Sequence, residues 1–154
     1  MIALRKILLP TDFNDTAAVA LKYAQAFAEV CGASMHVLHV LEDPLPGWKP
    51  EGHVTPVPRI REGMEEDARV QLGKVISMED RKRLHAELVT KWGNPFVEIV
   101  RYAKDHEIDL IVMGTYGRGP IARMLMGSVA EKVVRKAPCP VLTVRQPEHE
   151  LVMP

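Results

Sequence analysis

The period of the apolar residues changes several times along this chain, and each change predicts an element. Between Leu4 and Pro10, Ile7, Leu8 and Leu9 stand in a row, which predicts a strand covered on both faces. Beyond Asn14 and Asp15, both good helix-capping types, Ala17, Leu21, Ala24, Ala28 and Cys31 recur at helical spacing as far as Gly32, a natural stop. Met35, Val37, Leu38, Val40 and Leu41 then return to a strand pattern, giving one β-α-β unit with an expected right-handed crossover.

The stretch from Asp43 to Pro58 carries Pro44, Pro46, Gly47, Pro50, Gly52, Pro56 and Pro58, a density that predicts a long surface loop. A second, amphipathic helix follows, with Ile60, Met64, Ala68, Leu72 and Val75 on its apolar face. From His85 to Trp92, Ala86, Leu88 and Trp92 alternate with His85, Glu87 and Lys91, as expected of an edge strand with one wet face. Asn94 and Pro95 open a third helix whose apolar face is read as Val97, Val100 and Ala103. Asp109 to Gly114 is another continuous apolar strand, and after one more helix Val141 to Val144 forms a fifth strand.

Alternation of this kind predicts an α/β fold: a doubly wound, Rossmann-like, five-stranded parallel sheet, order 3-2-1-4-5, with helices on both faces. A single domain is expected over residues 1–147, with a polar tail at 148–154. Strands one and four would then lie side by side. Ligands in such sheets bind beyond the carboxyl ends of the strands where the winding reverses, so the exits of these two strands are the first places to look.

Composition narrows the function. Lysine plus arginine and aspartate plus glutamate both number 20, so no global field favours nucleic acid or an anionic membrane. No stretch approaches the roughly 20 apolar residues of a membrane span, and MIALRKILLP lacks a signal-peptide core, so a cytoplasmic protein is expected. Cys31 and Cys139 are far apart in sequence and are expected to pack in the core. His36 and His39 are the closest histidines, but their odd offset sends them to opposite faces of a strand, and no metal site is expected.

The segment Gly114 to Ser128, GTYGRGPIARMLMGS, carries the chemistry. Gly114, Gly117 and Gly119 let backbone amides approach a ligand closely, and Gly127 and Ser128 open a helix whose N-terminus is a ready anion site. Between Thr115 and Ala130 there is no carboxylate, whereas Arg118 and Arg123 are present, a local field that suits a polyphosphate. Blander readings stand beside this one. The glycines can serve a tight strand exit, Ser128 with Glu131 forms a capping box, Asp12 can be a turn residue, and Arg118 can be a solvated loop arginine.

The spacing Gly114, two residues, Gly117, nine residues, Gly127 and Ser128 resembles the ATP-binding signature of the universal stress protein family. The resemblance extends to KILLPTDFNDTAAVALKYA, to LHV in the second strand and to GSVAEKVVRKAPCPVLTVR near the end. It implies that Pro10, Thr11 and Asp12 at the end of strand one sit beside the nucleoside and that Val40 lines the adenine. It also implies that Met113, Gly114 and Gly117 approach the ribose and phosphates, and that Gly127, Ser128 and Val129 hold the phosphate tail. Arg118 is added on charge alone. The implied cofactor is ATP, with Mg2+ or Mn2+ on its phosphates. Pro120 departs from the commonest loop pattern and removes an amide donor. Similar proteins dimerise through the fifth strand, so a homodimer through Val141 to Val144 is expected, with unidentified protein partners as well.

The function expected is a nucleotide-dependent stress-response switch with at most slow ATP hydrolysis, because no general base with an orienting partner is evident. The alternative is a dimeric interaction protein of the same fold that binds no nucleotide. Adenylyl transfer and P-loop chemistry are disfavoured, since neither HxGH, SGGxDS nor GxxxxGK[ST] occurs.

Overall fold

Ile7, Leu8 and Leu9 have no exposed surface, the condition of a central strand roofed on both sides. The computed structural model describes residues 1–47, 57–115 and 126–145. Along the chain these form β1 (Lys6–Pro10), α1 (Asp15–Cys31), β2 (Ser34–Leu41), α2 (Val57–Val75), α3 (Met78–Arg83) and β3 (Glu87–Trp92). They continue with α4 (Pro95–Asp105), β4 (Leu110–Gly114), α5 (Ser128–Lys136) and β5 (Val141–Val144). The five strands form one sheet in the order β3-β2-β1-β4-β5, and every pairing is parallel. The doubly wound arrangement and the β1/β4 switch point are therefore as the sequence predicts.

Two cores sandwich the sheet. On one face Ala20, Ala24 and Ala28 of α1 and Leu72 of α2 pack on Ile7, Leu9, Val37 and Val112. On the other, Ile99, Tyr102 and Ala103 of α4 and Ala130 and Val133 of α5 pack on Leu8, Leu38 and Ile111. Each buried aliphatic side chain contributes about 1.5–3 kcal/mol relative to exposure. Small alanines on α1 let that helix lie close to the strands. The helix begins where Asn14 Oδ1 accepts the Ala17 amide at 2.8 Å and ends at Gly32, whose φ of 67° is the left-handed conformation glycine adopts freely.

Several expectations are corrected. Cys31 is exposed rather than core, because it lies beyond the alanine stripe in the last turn of α1; Cys139 is half-buried against the second core. The buried face of α4 is Ile99, Tyr102 and Ala103, with Val97 and Val100 only half-buried, so the helix is rotated from the predicted face and only Ala103 is common to both. The short α3 was not predicted. α2 starts at Val57, so Pro58 belongs to its first turn, where a missing N–H costs nothing; residues 48–56 of the expected loop lie outside the described residues. The tail at 148–154 also lies outside them.

A polar cluster closes the second core at the amino ends of the strands. His36 Nδ1 and the Tyr102 hydroxyl lie 2.7 Å apart in a hydrogen bond, with Glu87 at 3.9 Å from the same nitrogen. His106 stacks on Tyr102 at 3.8 Å between ring centres, and Lys6 Nζ donates to the His106 carbonyl at 3.0 Å. Burial pushes the His36 imidazole below its ordinary range, opposed by Glu87 and reinforced by His106 and Lys6. Burial, followed by the Glu87 charge, pushes the Tyr102 phenol up to about 12.

Candidate functional site at the strand switch point

A cleft of about 740 Å³ opens beyond the carboxyl ends of β1, β2 and β4. Its floor is the turn that joins β1 to α1. The Thr11 amide donates to the Leu38 carbonyl at 2.9 Å, extending the β1–β2 ladder by one bond. Thr11 Oγ1 then accepts the Phe13 amide at 3.1 Å, and Asp12 Oδ1 accepts the Asn14 amide at 3.2 Å. Asn14 Nδ2 donates to Asp12 Oδ2 at 3.0 Å, so the carboxylate is held by the residue that caps α1. Between them Phe13 takes a φ of 66°. A non-glycine residue there costs roughly 1–3 kcal/mol, and the surrounding bonds hold it in place. Its ring lies 4.3 Å from that of His39, whose Nδ1–H donates to the Thr11 carbonyl at 2.8 Å. His36 thus meets Tyr102 of the second core while His39 meets Phe13, which packs against the first, and among the described residues no cluster of three His, Cys, Asp or Glu could hold a metal ion.

The opposite wall is the start of α5. The Gly127 amide donates to the Thr115 carbonyl at 2.6 Å, and the Gly127 carbonyl accepts the Glu131 amide at 3.0 Å as the first bond of the helix. Gly127 is therefore the cap and Ser128 the first helical residue. No side chain caps this helix, and the capping box expected of Ser128 and Glu131 does not form. Ser128 is instead exposed at the helix start, where unpaired amides carry partial positive charge. Thr115 is fixed from the other side by its amide and hydroxyl, which donate to the Val144 carbonyl at 3.0 and 3.3 Å.

Of the residues anticipated from sequence, Pro10, Thr11, Asp12, Val40, Met113, Gly114, Gly127, Ser128 and Val129 all line this one cleft. Gly117 and Arg118 lie outside the described residues, as do Gly119, Pro120 and Arg123. Gly114 has a packing reason to be glycine, since an added Cβ would meet Thr16 Cγ2 at 2.7 Å. Sequence reasoning missed Phe13, His39 and Glu42, and it missed a whole wall supplied by α2 through Met64, Asp67, Ala68 and Gln71.

The Universal stress protein family model matches residues 3–145. The chain belongs to the universal stress protein family. A universal stress protein of Methanocaldococcus jannaschii is 37% identical over 149 residues, covering 95% of this chain and 85% of that one. A Thermus aquaticus universal stress protein is 36% identical over 141 residues, covering 92% and 98%. Among solved structures, the universal stress protein UspA from Lactobacillus plantarum is 29% identical with a TM-score of 0.70, covering 93% of this chain and 99% of that one. A universal stress protein from Archaeoglobus fulgidus, solved in complex with dAMP, is 26% identical with a TM-score of 0.57, covering 94% and 99%. Among the described residues of this universal stress protein, no helix is long and apolar enough to cross a membrane.

Proposed function

We propose that this universal stress protein is an ATP-binding, cytoplasmic stress-response switch whose nucleotide occupies the cleft between the β1 exit and the α5 N-terminus. The observation that carries the reading is the meeting, in one cleft, of Asp12, Val40 and Gly114 with an uncapped helix start at Gly127 and Ser128. Helix amides without a side-chain cap suit phosphate oxygens, and the half-buried Val40 beside Leu41 offers an apolar surface to a base. Gly117 and Arg118 are proposed to complete the phosphate grip. The dAMP complex of the Archaeoglobus relative supports nucleotide binding by this fold. Because the described residues offer no ligand cluster, Mg2+ or Mn2+ would be carried on the phosphate oxygens. Asp12 is engaged in the turn by Asn14, and at most slow ATP hydrolysis is proposed.

The protein is proposed to act as a single domain over residues 1–147 and to pair with itself through β5. Among the described residues this strand ends the sheet and pairs on one side only, and its Val141 and Leu142 pack toward opposite faces. Occupancy of the cleft would then alter the surface offered to further protein partners.

The test is calorimetric titration of nucleotide-stripped protein with ATP and Mg2+, beside Ser128→Glu. A carboxylate in the first helical turn favours the helix but repels phosphate, so the variant separates binding from folding. The parent should bind, and the variant should bind at least about tenfold more weakly with its melting temperature unchanged or raised. A folded parent that binds no nucleotide would leave the dimeric interaction protein as the better account.

A further inference from the structure

The cleft is chemically lopsided. Its described lining holds three carboxylates, Asp12, Glu42 and Asp67, and neither lysine nor arginine. On the opposite side the start of α5 at Gly127 and Ser128 carries no side-chain cap. A ligand therefore meets anionic side chains along the β1, β2 and α2 side and the partial positive charge of a helix start on the α5 side.

The three carboxylates are not equivalent. Asp12 is engaged by Asn14, and Glu42 is exposed immediately beyond β2. Asp67 projects from α2 and makes no hydrogen bond or ion pair among the described residues. It belongs to a face formed by Met64, Asp67, Ala68 and Gln71, at the helical spacing i, i+3, i+4 and i+7, and this face lines the cleft. The rotation of α2 is fixed by contacts on its flank. Trp92 Nε1 at the end of β3 donates to Glu65 Oε1 at 2.6 Å. The Arg61 guanidinium lies 4.9 Å from the centre of the Trp92 ring and pairs with Asp43 at 3.2 Å. A helix pinned in this way keeps the Asp67 charge facing the cleft.

We infer that Asp67 selects the charge state of the bound nucleotide, penalising each added phosphate, so that without a divalent cation the site retains nucleoside monophosphates in preference to ATP. The inference rests on the nucleotide reading above. A fixed negative charge repels a ligand in proportion to the ligand's own charge, while adenosine, which has none, is indifferent to it. Divalent cations would relieve the penalty by neutralising the phosphates, which gives the metal a role even though the described residues hold no metal cluster.

The experiment titrates adenosine, AMP, ADP and ATP into the full chain, with chelator and then with Mg2+, using the parent, Asp67→Asn and Glu62→Gln. Glu62 is an exposed residue of α2 that does not line the cleft, so its variant makes the same change in net charge elsewhere. Asp67→Asn should leave adenosine affinity unchanged and raise the others progressively, by about two- to tenfold for each added ligand charge. The gain should shrink in high salt and with Mg2+, and Glu62→Gln should show little of it. If all four ligands shift equally, if none shifts, or if Glu62→Gln reproduces the gradient, the role of Asp67 is overturned while the nucleotide reading stands. If the folded parent binds none of the four, the nucleotide reading fails and this inference falls with it.

Discussion

Gly114 at the end of β4 lies against Thr16 in the first turn of α1 so closely that a Cβ on the glycine would sit 2.7 Å from Thr16 Cγ2 and 3.2 Å from the Thr16 backbone carbon. Gly114→Ala should therefore destabilise the protein by about 1–3 kcal/mol through overpacking. Thr16→Ala in the same chain should recover part of the loss, because it removes the nearest atom but leaves the backbone in place. Denaturant unfolding of the two single variants and the double variant checks this. Purely additive losses would show that the contact relaxes without strain.

Burial of the hydrogen-bonded pair His36 and Tyr102 should make stability fall at both ends of the pH range. The His36 pKa is lowered in the folded protein, so its contribution to stability is complete above the unfolded value near 6.5 and is lost as pH falls through the folded one. The Tyr102 pKa is raised from 10.0 to about 12, so its contribution is complete below pH 10 and is lost as pH rises toward 12. That alkaline loss is on the order of 2–3 kcal/mol. Melting temperature followed from pH 5 to 11 should fall at both ends, and His36→Leu with Tyr102→Phe should flatten both limbs. Limbs that persist in the double variant would assign the losses to other groups.

The two cysteines should separate kinetically. Cys31 is exposed, whereas Cys139 is half-buried and its thiol is pushed up by burial and by the Asp109 charge, with a backbone hydrogen bond at Ile111 opposing them. Since the thiolate is the reactive form, a disulfide reagent at neutral pH should modify one thiol per chain quickly and the second at least about tenfold more slowly. Mass spectrometry of the early product should locate the label on Cys31. Equal rates, or label first on Cys139, would contradict the packing described.

Most of the architecture was legible because burial on two faces leaves a continuous apolar run, as at Ile7 to Leu9 and Leu110 to Met113. What escaped was information held in tertiary contacts. Met78 to Arg83 buries no side chain, so α3 has no hydrophobic period to display; only the Ser77 hydroxyl, which accepts the Asp80 amide at 3.0 Å, marks its start. Tyr102 is buried because His36, distant in sequence, satisfies its hydroxyl, and that turned α4 away from the face read from Val97 and Val100. The same limit applied to the cleft. Asp12, Val40, Gly114 and Ser128 stand at strand and helix ends that the topology brings together, whereas Asp67 and Gln71 look like a solvated helix surface until β3 and the chain after β2 fix the rotation of α2.

The bond from the Gly127 amide to the Thr115 carbonyl ties off the intervening chain at its root, and Thr115 is itself anchored to the last strand through Val144. The frame is thus complete on either side of that knot. The strand order and both cores are built from residues outside 116–125.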